Sequence, residues 1–342
     1  GATGGSWATS TNWSPTRTTP AATDIIKFDD GGTYLVTAVP TQTIRQLLIS
    51  DSTNVTLQSS GTTTLTINGP SNTDNLVIAQ GSTLDYSTTN VLTITMATTA
   101  SQRADISGTL NVRTGTFTTT GSGTNLFTVS ATGIVNHFSG TITGSAATLV
   151  FDSLSNYVYN SATALNVPTA TWHFHSKVTF NGITSGIPGN LNQNFGNMLW
   201  DCGSQSTTIN LGTFPITVNS FEFRNSNNQV VTHAASANRV WTTAGAGDLL
   251  ITGGRFAVRG GALNVSQSLT VRDLVIDNSS NANAQLILDF SSGITTGLTI
   301  ACVVSRDLTI NLPQNATNAN IIQFRAGVAN TEQVTLSGNF TQ

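Results

Sequence analysis

The sequence is short of charge, lysine, glutamate and cysteine, and each shortage closes off a class of protein. Only 8% of its 342 residues are charged, against roughly a quarter in an ordinary soluble domain. Two lysines and eleven scattered arginines, within a net charge of −3, form no basic stripe to neutralise phosphates, so nucleic acid is not expected as a partner. The only glutamates are Glu222 and Glu332, and the aspartates are spread along the chain. That leaves little from which to build the paired carboxylates of a glycosidase or the carboxylate-bound calcium of a pectate lyase. Cys202 and Cys302 are too few for a disulfide scaffold. No run approaches the roughly 18 apolar residues of a membrane helix, and most apolar runs are shorter than the strands of a transmembrane barrel, so no membrane-spanning segment is expected. A nucleophile elbow, a phosphate loop and any other cofactor motif are missing too, so no cofactor is expected. Gly245-Ala-Gly-Asp248-Leu approaches a calcium-binding nonapeptide once, with the wrong spacing.

What the chain has in abundance is Thr, Ser, Asn and Gly, in an order that alternates. Asn54-Val-Thr-Leu, Thr64-Leu-Thr-Ile, Leu92-Thr-Ile-Thr-Met, Leu110-Asn-Val, Leu263-Asn-Val, Leu269-Thr-Val, Leu298-Thr-Ile and Leu308-Thr-Ile-Asn-Leu all repeat with period two. β-Branched Thr favours strands, and the Ser-Gly, Thr-Gly, Gly-Gly and Asn-Gly pairs between the runs favour turns. With 38% hydrophobic residues in regular alternation, the chain is not disordered. It reads as all-β, with short half-buried strands throughout.

Self-similarity selects among all-β architectures. Laying Ile106–Gly121 on Val129–Gly144 puts Ile106 on Val129, Leu110 on Val135 and Phe117 on Ile142, an offset of 23 to 25 residues. A looser third copy runs from Ile251 to Val265. This is the repeat length of a parallel β-helix. The expectation is a single-stranded parallel β-solenoid over residues 24–342, with Asp24 to Phe28 as its first strand. At about 24 residues per turn and about 4.8 Å per stacked strand, it would have about 14 turns and a length of roughly 65 Å. Residues 1–23, with Trp7, Trp13, Pro15 and Pro20, read as the atypical N-terminal cap that solenoids need. Residues 183–201, with Pro188, Asn190 and Gln193, break the pattern and predict a loop or irregular turn. The chain opens on Gly-Ala-Thr-Gly-Gly and stops in mid-pattern after Val334. An excised segment is therefore expected, its bare last turn meeting further segments of the same protein or stacked copies of itself.

A few residues could carry chemistry. In Thr171 to Phe180, alternation with Trp172, Phe174, Val178 and Phe180 inward would send His173, His175 and Lys177 outward. With Asp152 and Asp201 on neighbouring turns, His173 and His175 would make a site suited to a first-row divalent ion. The alternative is four unconnected polar residues on a solvated face. Tyr157 and Tyr159 flank Val158, and with Val158 inward their rings would stand outside as a sugar-stacking pair, or pack under a neighbouring loop. Asp29-Asp30 with Gly31-Gly32 reads as a turn. Cys202 shares the parity of Met198 and Trp200, and Cys302 that of Leu298, Ile300 and Val304, so both thiols should be buried and unbonded.

The phrases Ser6-Trp7, Asn12-Trp13-Ser14-Pro15, Asp24-Ile25-Ile26, Gly108-Thr-Leu-Asn-Val, Gly115-Thr-Phe-Thr, Ser139-Gly-Thr-Ile-Thr-Gly and Leu336-Ser-Gly-Asn-Phe-Thr-Gln resemble those of repetitive surface proteins exported by Bacteroidetes through type IX secretion. The resemblance covers nearly the whole chain in style of phrase and carries no catalytic motif. It implies a secreted, cell-surface, adhesin-like protein, with surface glycans as possible partners. Asp51-Ser52-Thr53 and Asp152-Ser153-Leu154 resemble the O-glycosylation triplets of such proteins, which would place sugars on Ser52 and Ser153. Two functions follow: a non-enzymatic structural or adhesive rod in a surface fibre, and a β-helix that binds or cleaves polysaccharide.

Overall fold

The structure is a computed structural model. It describes residues 5–17, 19–86, 90–98, 101–119, 125–211, 217–235, 240–242, 247–260, 267–279, 284–289, 299–311, 322–325 and 331–342. The runs at Leu263–Val265 and at Leu298 lie outside these residues, as does the end of the third repeat copy. The fold is a parallel β-solenoid. Among the described residues the one helical element is a 3-10 turn at Ser10–Asn12, and the strand pairings are parallel. The chain forms two compact units, residues 1–161 with 166–176, and residues 162–165 with 177–342.

In the first unit each turn visits three faces in order. Ile25–Phe28 lies on face one, Thr33–Thr37 on face two and Gln42–Ile44 on face three, and Gln46–Ile49 returns to face one. The expected self-alignment is the observed register: Ile106 pairs with Val129, Leu110 with Val135 and Phe117 with Ile142. Alternation decides what is buried. In Leu92–Met96 the residues Leu92, Ile94 and Met96 point inward, and Thr93 and Thr95 outward. Val55, Leu84, Leu110 and Val135 stack in register and are buried, each worth about 1.5–3 kcal/mol relative to exposure. Glycine precedes the face-three strands Thr116–Thr118 and Thr141–Thr143, where the turns approach closely. A Cβ on Gly140 would come within 2.3 Å of the Gly115 carbonyl oxygen.

The turns differ from the expected 14 even ones. Among the described residues nine turns carry all three strands, five of them between Ile25 and Thr143 and four between Ser220 and Leu336. Successive face-two strands begin at Thr33, Asn54, Thr83, Thr109, Ile134 and Asn156, and those of the second unit at Lys177, Asn197, Ser220, Asp248, Leu274, Leu308 and Phe340. Only strand positions must stack, so corners take up extra residues without disturbing the register. Between Phe180 and Asn197 no strand forms, only the bridge Asn194–Thr217. The irregular stretch expected over 183–201 is therefore real but ends sooner, because Asn197–Asp201 is a strand.

Residues 5–17 lie against the first turn. Gly5–Ser6 pairs in parallel with Val36–Thr37, and the buried Trp7 indole donates to Gln42 at 2.9 Å. Trp13 meets Trp7 edge-on with ring centroids 5.3 Å apart.

In the second unit an aromatic ladder occupies the core. Phe180 pairs with Trp200 and Trp200 with Phe223, at ring separations of 5.4 and 6.2 Å. The buried Trp200 N–H donates to Gln205, itself buried. Cys202 and Cys302 are both buried and free, as expected.

Candidate functional site

The histidine pair lies in a corner, which corrects the strand expected through it. Strands Thr171–Trp172 and Lys177–Phe180 are separated by a turn in which the Ser176 N–H donates to the His173 carbonyl. Alternation therefore stops at His173, and Phe174, expected inward, is 52% exposed. The His175 backbone N–H donates to His173 Nδ1 at 3.1 Å, so that lone pair belongs to the turn. Asp152 is engaged by the Ser153 N–H at 2.7 Å, and Asp201 pairs with Arg224 at 3.4 Å. Among the described residues no group of three or more His, Cys, Asp or Glu could hold a metal ion.

The tyrosines are also corrected. Tyr157 and Tyr159 are fully buried, and Val158, expected inward, lies between them on the outer side, covered to 8% exposure. Register explains this: Tyr157 pairs with Val135 and Tyr159 with His137, which are both inward positions. Rings sealed in the core offer no surface to a sugar. Tyr157 instead bonds His137 Nδ1 at 2.7 Å, and the His137 Nε2 faces the Gly140 carbonyl at 2.8 Å. Burial pushes the His137 pKa down and the Tyr157 pKa well up. The buried histidine was missed, although the alignment of Leu110 with Val135 already places His137 over the inward Val112.

Ser52 and Ser153 fall at the same corner, between faces one and two. Ser52 is exposed with φ +61°, and Ser153 is half-exposed beside Leu154 at φ +65°. Asp29 to Gly32 forms the expected turn, with Gly31 at φ +76° and the Gly32 N–H donating to Asp30.

A cavity of about 610 Å³ lies between the N-terminal segment and strand Ile25–Phe28, lined by Trp13, Arg17, Asp24, Asp29, Asp30 and Tyr34 among others. Its carboxylates are already engaged. Asp24 pairs with Arg17 at 2.5 Å and Asp29 with Lys27 at 2.5 Å, while Asp30 accepts from the Tyr34 hydroxyl. That hydroxyl holds the Asp30 carboxyl below its usual range. A carboxyl held low in this way is a poor general acid at neutral pH.

The outer surfaces carry ladders instead. On face two of the first unit, Asn111 donates to Asp85, Asn136 to Asn111 and Asn160 to Asn136, at 3.2, 2.8 and 3.2 Å. Arg113 closes the near end on Asp85 at 2.9 Å. In the second unit Arg272 bridges Asp248 and Asp273, and Arg306 bridges Asp273 and Asp307. The repeated Arg-Asp-Leu at Arg272 and Arg306 is the sequence signal that could have revealed this ladder.

Turns that stack in parallel, with side-chain ladders along them, define the chain as a β-solenoid repeat protein. No family model, curated protein or solved structure matches it.

Proposed function

We propose that the chain is a structural, adhesive rod segment of a secreted bacterial cell-surface fibre or adhesin, without catalytic activity. The observation that carries this reading is that the polar groups of the outer ladders are spent on one another. Asp85, Asn111, Asn136 and Asn160 form one run, and Asp248, Arg272, Asp273, Arg306 and Asp307 another. Satisfied ladders hold successive turns in register and leave their own carboxylates and guanidinium groups engaged with one another. Phrase-level resemblance to Bacteroidetes type IX surface proteins supports export, and Ser52 and Ser153 at one corner are the positions for O-linked sugar.

Small-angle scattering, together with reducing-end assays on pectin, alginate and xylan, tests this. An elongated particle that releases no sugar is the expected result. Turnover of any of these polysaccharides, or a compact particle, would overturn it. A polysaccharide-binding role is the second reading, favoured by the cavity beside Trp13 and Tyr34.

A further inference from the structure

Face three of the first unit carries a two-dimensional threonine lattice. Thr43, Thr66, Thr95, Thr118 and Thr143 pair in succession to form one column. Thr64, Thr93, Thr116 and Thr141 form the second, and Thr41 extends it, accepting a hydrogen bond from the Thr64 amide at 3.2 Å. Each strand therefore presents Thr-x-Thr outward, with Leu65, Ile94, Phe117 or Ile142 turned into the core between them, and Gln42, bonded to Trp7, in that place on the first strand. Pairing on this face runs in register without a bulge, whereas face one shifts between Arg103 and Ala104. Spacing follows from parallel-sheet geometry: about 4.8 Å along a column and about 6.6 Å between columns.

Threonines also stand on face two, at Thr33, Thr56, Thr83 and Thr109, but there they share their columns with Asn54, Asp85 and Asn111, whereas every outward position of the face-three strands is threonine. Over the same turns face two carries the Asp and Asn ladder, and face one carries Lys27 and Asp105. The ten lattice positions hold no charge. Their hydroxyls also remain largely unspent. Thr95 donates to the Met96 carbonyl at 3.3 Å, Thr41 accepts as above, and the Thr143 hydroxyl is shielded at the far end. The others bond to no described residue. The face therefore differs from its neighbours both in composition and in having its polar groups free.

We propose that this face binds ice. Its hydroxyls, repeated at fixed spacing in two directions, can bond waters of a crystal lattice while the methyl groups sit in the hollows between them. Threonine suits the task because its branched Cβ restricts χ1, so little rotamer freedom is lost on contact. Each contact is weak, but contacts held on one rigid sheet engage a rigid crystal together and their effects multiply. A charged face would order nearby water around its ions instead. The inference rests on the register, composition and unspent hydroxyls of this face and is independent of whether the chain belongs to a surface fibre.

The test measures thermal hysteresis and partition into a slowly growing ice hemisphere, using the full chain, Thr95→Tyr at the centre of the lattice and Thr128→Tyr on face one. Circular dichroism melts accompany each protein, and Thr93→Lys provides a second lattice variant should Thr95→Tyr fold poorly. Hysteresis and ice uptake by the parent and by Thr128→Tyr, with both largely lost in a folded lattice variant, is the expected result. Overturning results are absence of ice activity in the folded parent, ice activity that survives both lattice variants, or lattice-dependent binding to cellulose or chitin powder without ice activity.

Discussion

His137 Nδ1 lies 2.7 Å from the Tyr157 hydroxyl, both groups sealed in the core of the first unit. The His137 Nε2 faces the Gly140 carbonyl at 2.8 Å, so Nε2 carries the proton and Nδ1 accepts from the tyrosine. Burial lowers the folded-state pKa of His137 below the ordinary 6.5. The unfolded chain therefore takes up its proton first as pH falls, and stability present above pH 6.5 declines below it. Melting temperature should drop between pH 7 and pH 5, and His137→Phe should flatten that part of the profile. A wild-type melt that is level across this window would contradict the buried neutral assignment.

Burial raises both thiols to a pKa of about 12. Since the thiolate is the reactive form, Cys202 and Cys302 should resist alkylation at pH 8 in the native protein and both react once it is denatured. Mass spectrometry of unreduced protein should show two free thiols; a disulfide between them would refute their placement.

Gly140 and Gly61 are opposite cases of one substitution. A Cβ on Gly140 meets backbone carbonyl oxygens at 2.3 and 2.7 Å, whereas one on Gly61 has nothing within 4 Å. Gly140→Ala should destabilise by about 1–3 kcal/mol, as overpacking against backbone does, and Gly61→Ala should be close to neutral. Urea titration of the two variants checks the contrast, and equal midpoints would argue against the close stacking of turns at Gly115 and Gly140.

Trp200 is the middle ring of the Phe180–Trp200–Phe223 ladder and is fully buried. Trp200→Ala should cost about 3–5 kcal/mol and leave the Gln205 side-chain oxygen without its indole donor. Trp200→Phe, which keeps a ring but loses the N–H, should cost less. If equilibrium unfolding finds the two losses equal, the hydrogen bond to Gln205 rather than the ring packing carries the stability of this position.

Asn136 both donates to Asn111 and accepts from Asn160. Asn136→Ala removes both links and should lower stability by about 1–2 kcal/mol, more than truncating Asn160 at the end of the ladder. Similar losses from the two variants would mean that the ladder is not cooperative.

The candidate sites were less legible than the fold because they depended on facing, and facing depends on where a strand ends. One misplaced turn at His173 to Ser176 moved Phe174 out of the core and tied His173 Nδ1 to the backbone. Val158 suggested an inward position by its apolarity, yet Tyr157 and Tyr159 are the inward pair because they stack on Val135 and His137. In a Ser- and Thr-rich strand, hydrophobicity alone does not set the parity, and the neighbouring turn does.

By itself the sequence determined the alternation, the parallel stacking and the register of its clearest repeat, since period two and a 23 to 25 residue offset place Ile106 on Val129 and Phe117 on Ile142. It also determined the burial of Cys202, which follows the parity of Met198 and Trp200. Only the tertiary structure decided the unequal turn lengths, the sealing of Tyr157 against His137, and the convergence of threonines from five separate turns on one face. Those features join residues some 20 to 30 positions apart, and corners of variable length hide that spacing from any fixed period. Strand-to-strand hydrogen bonding sets the register turn by turn and brings such residues together.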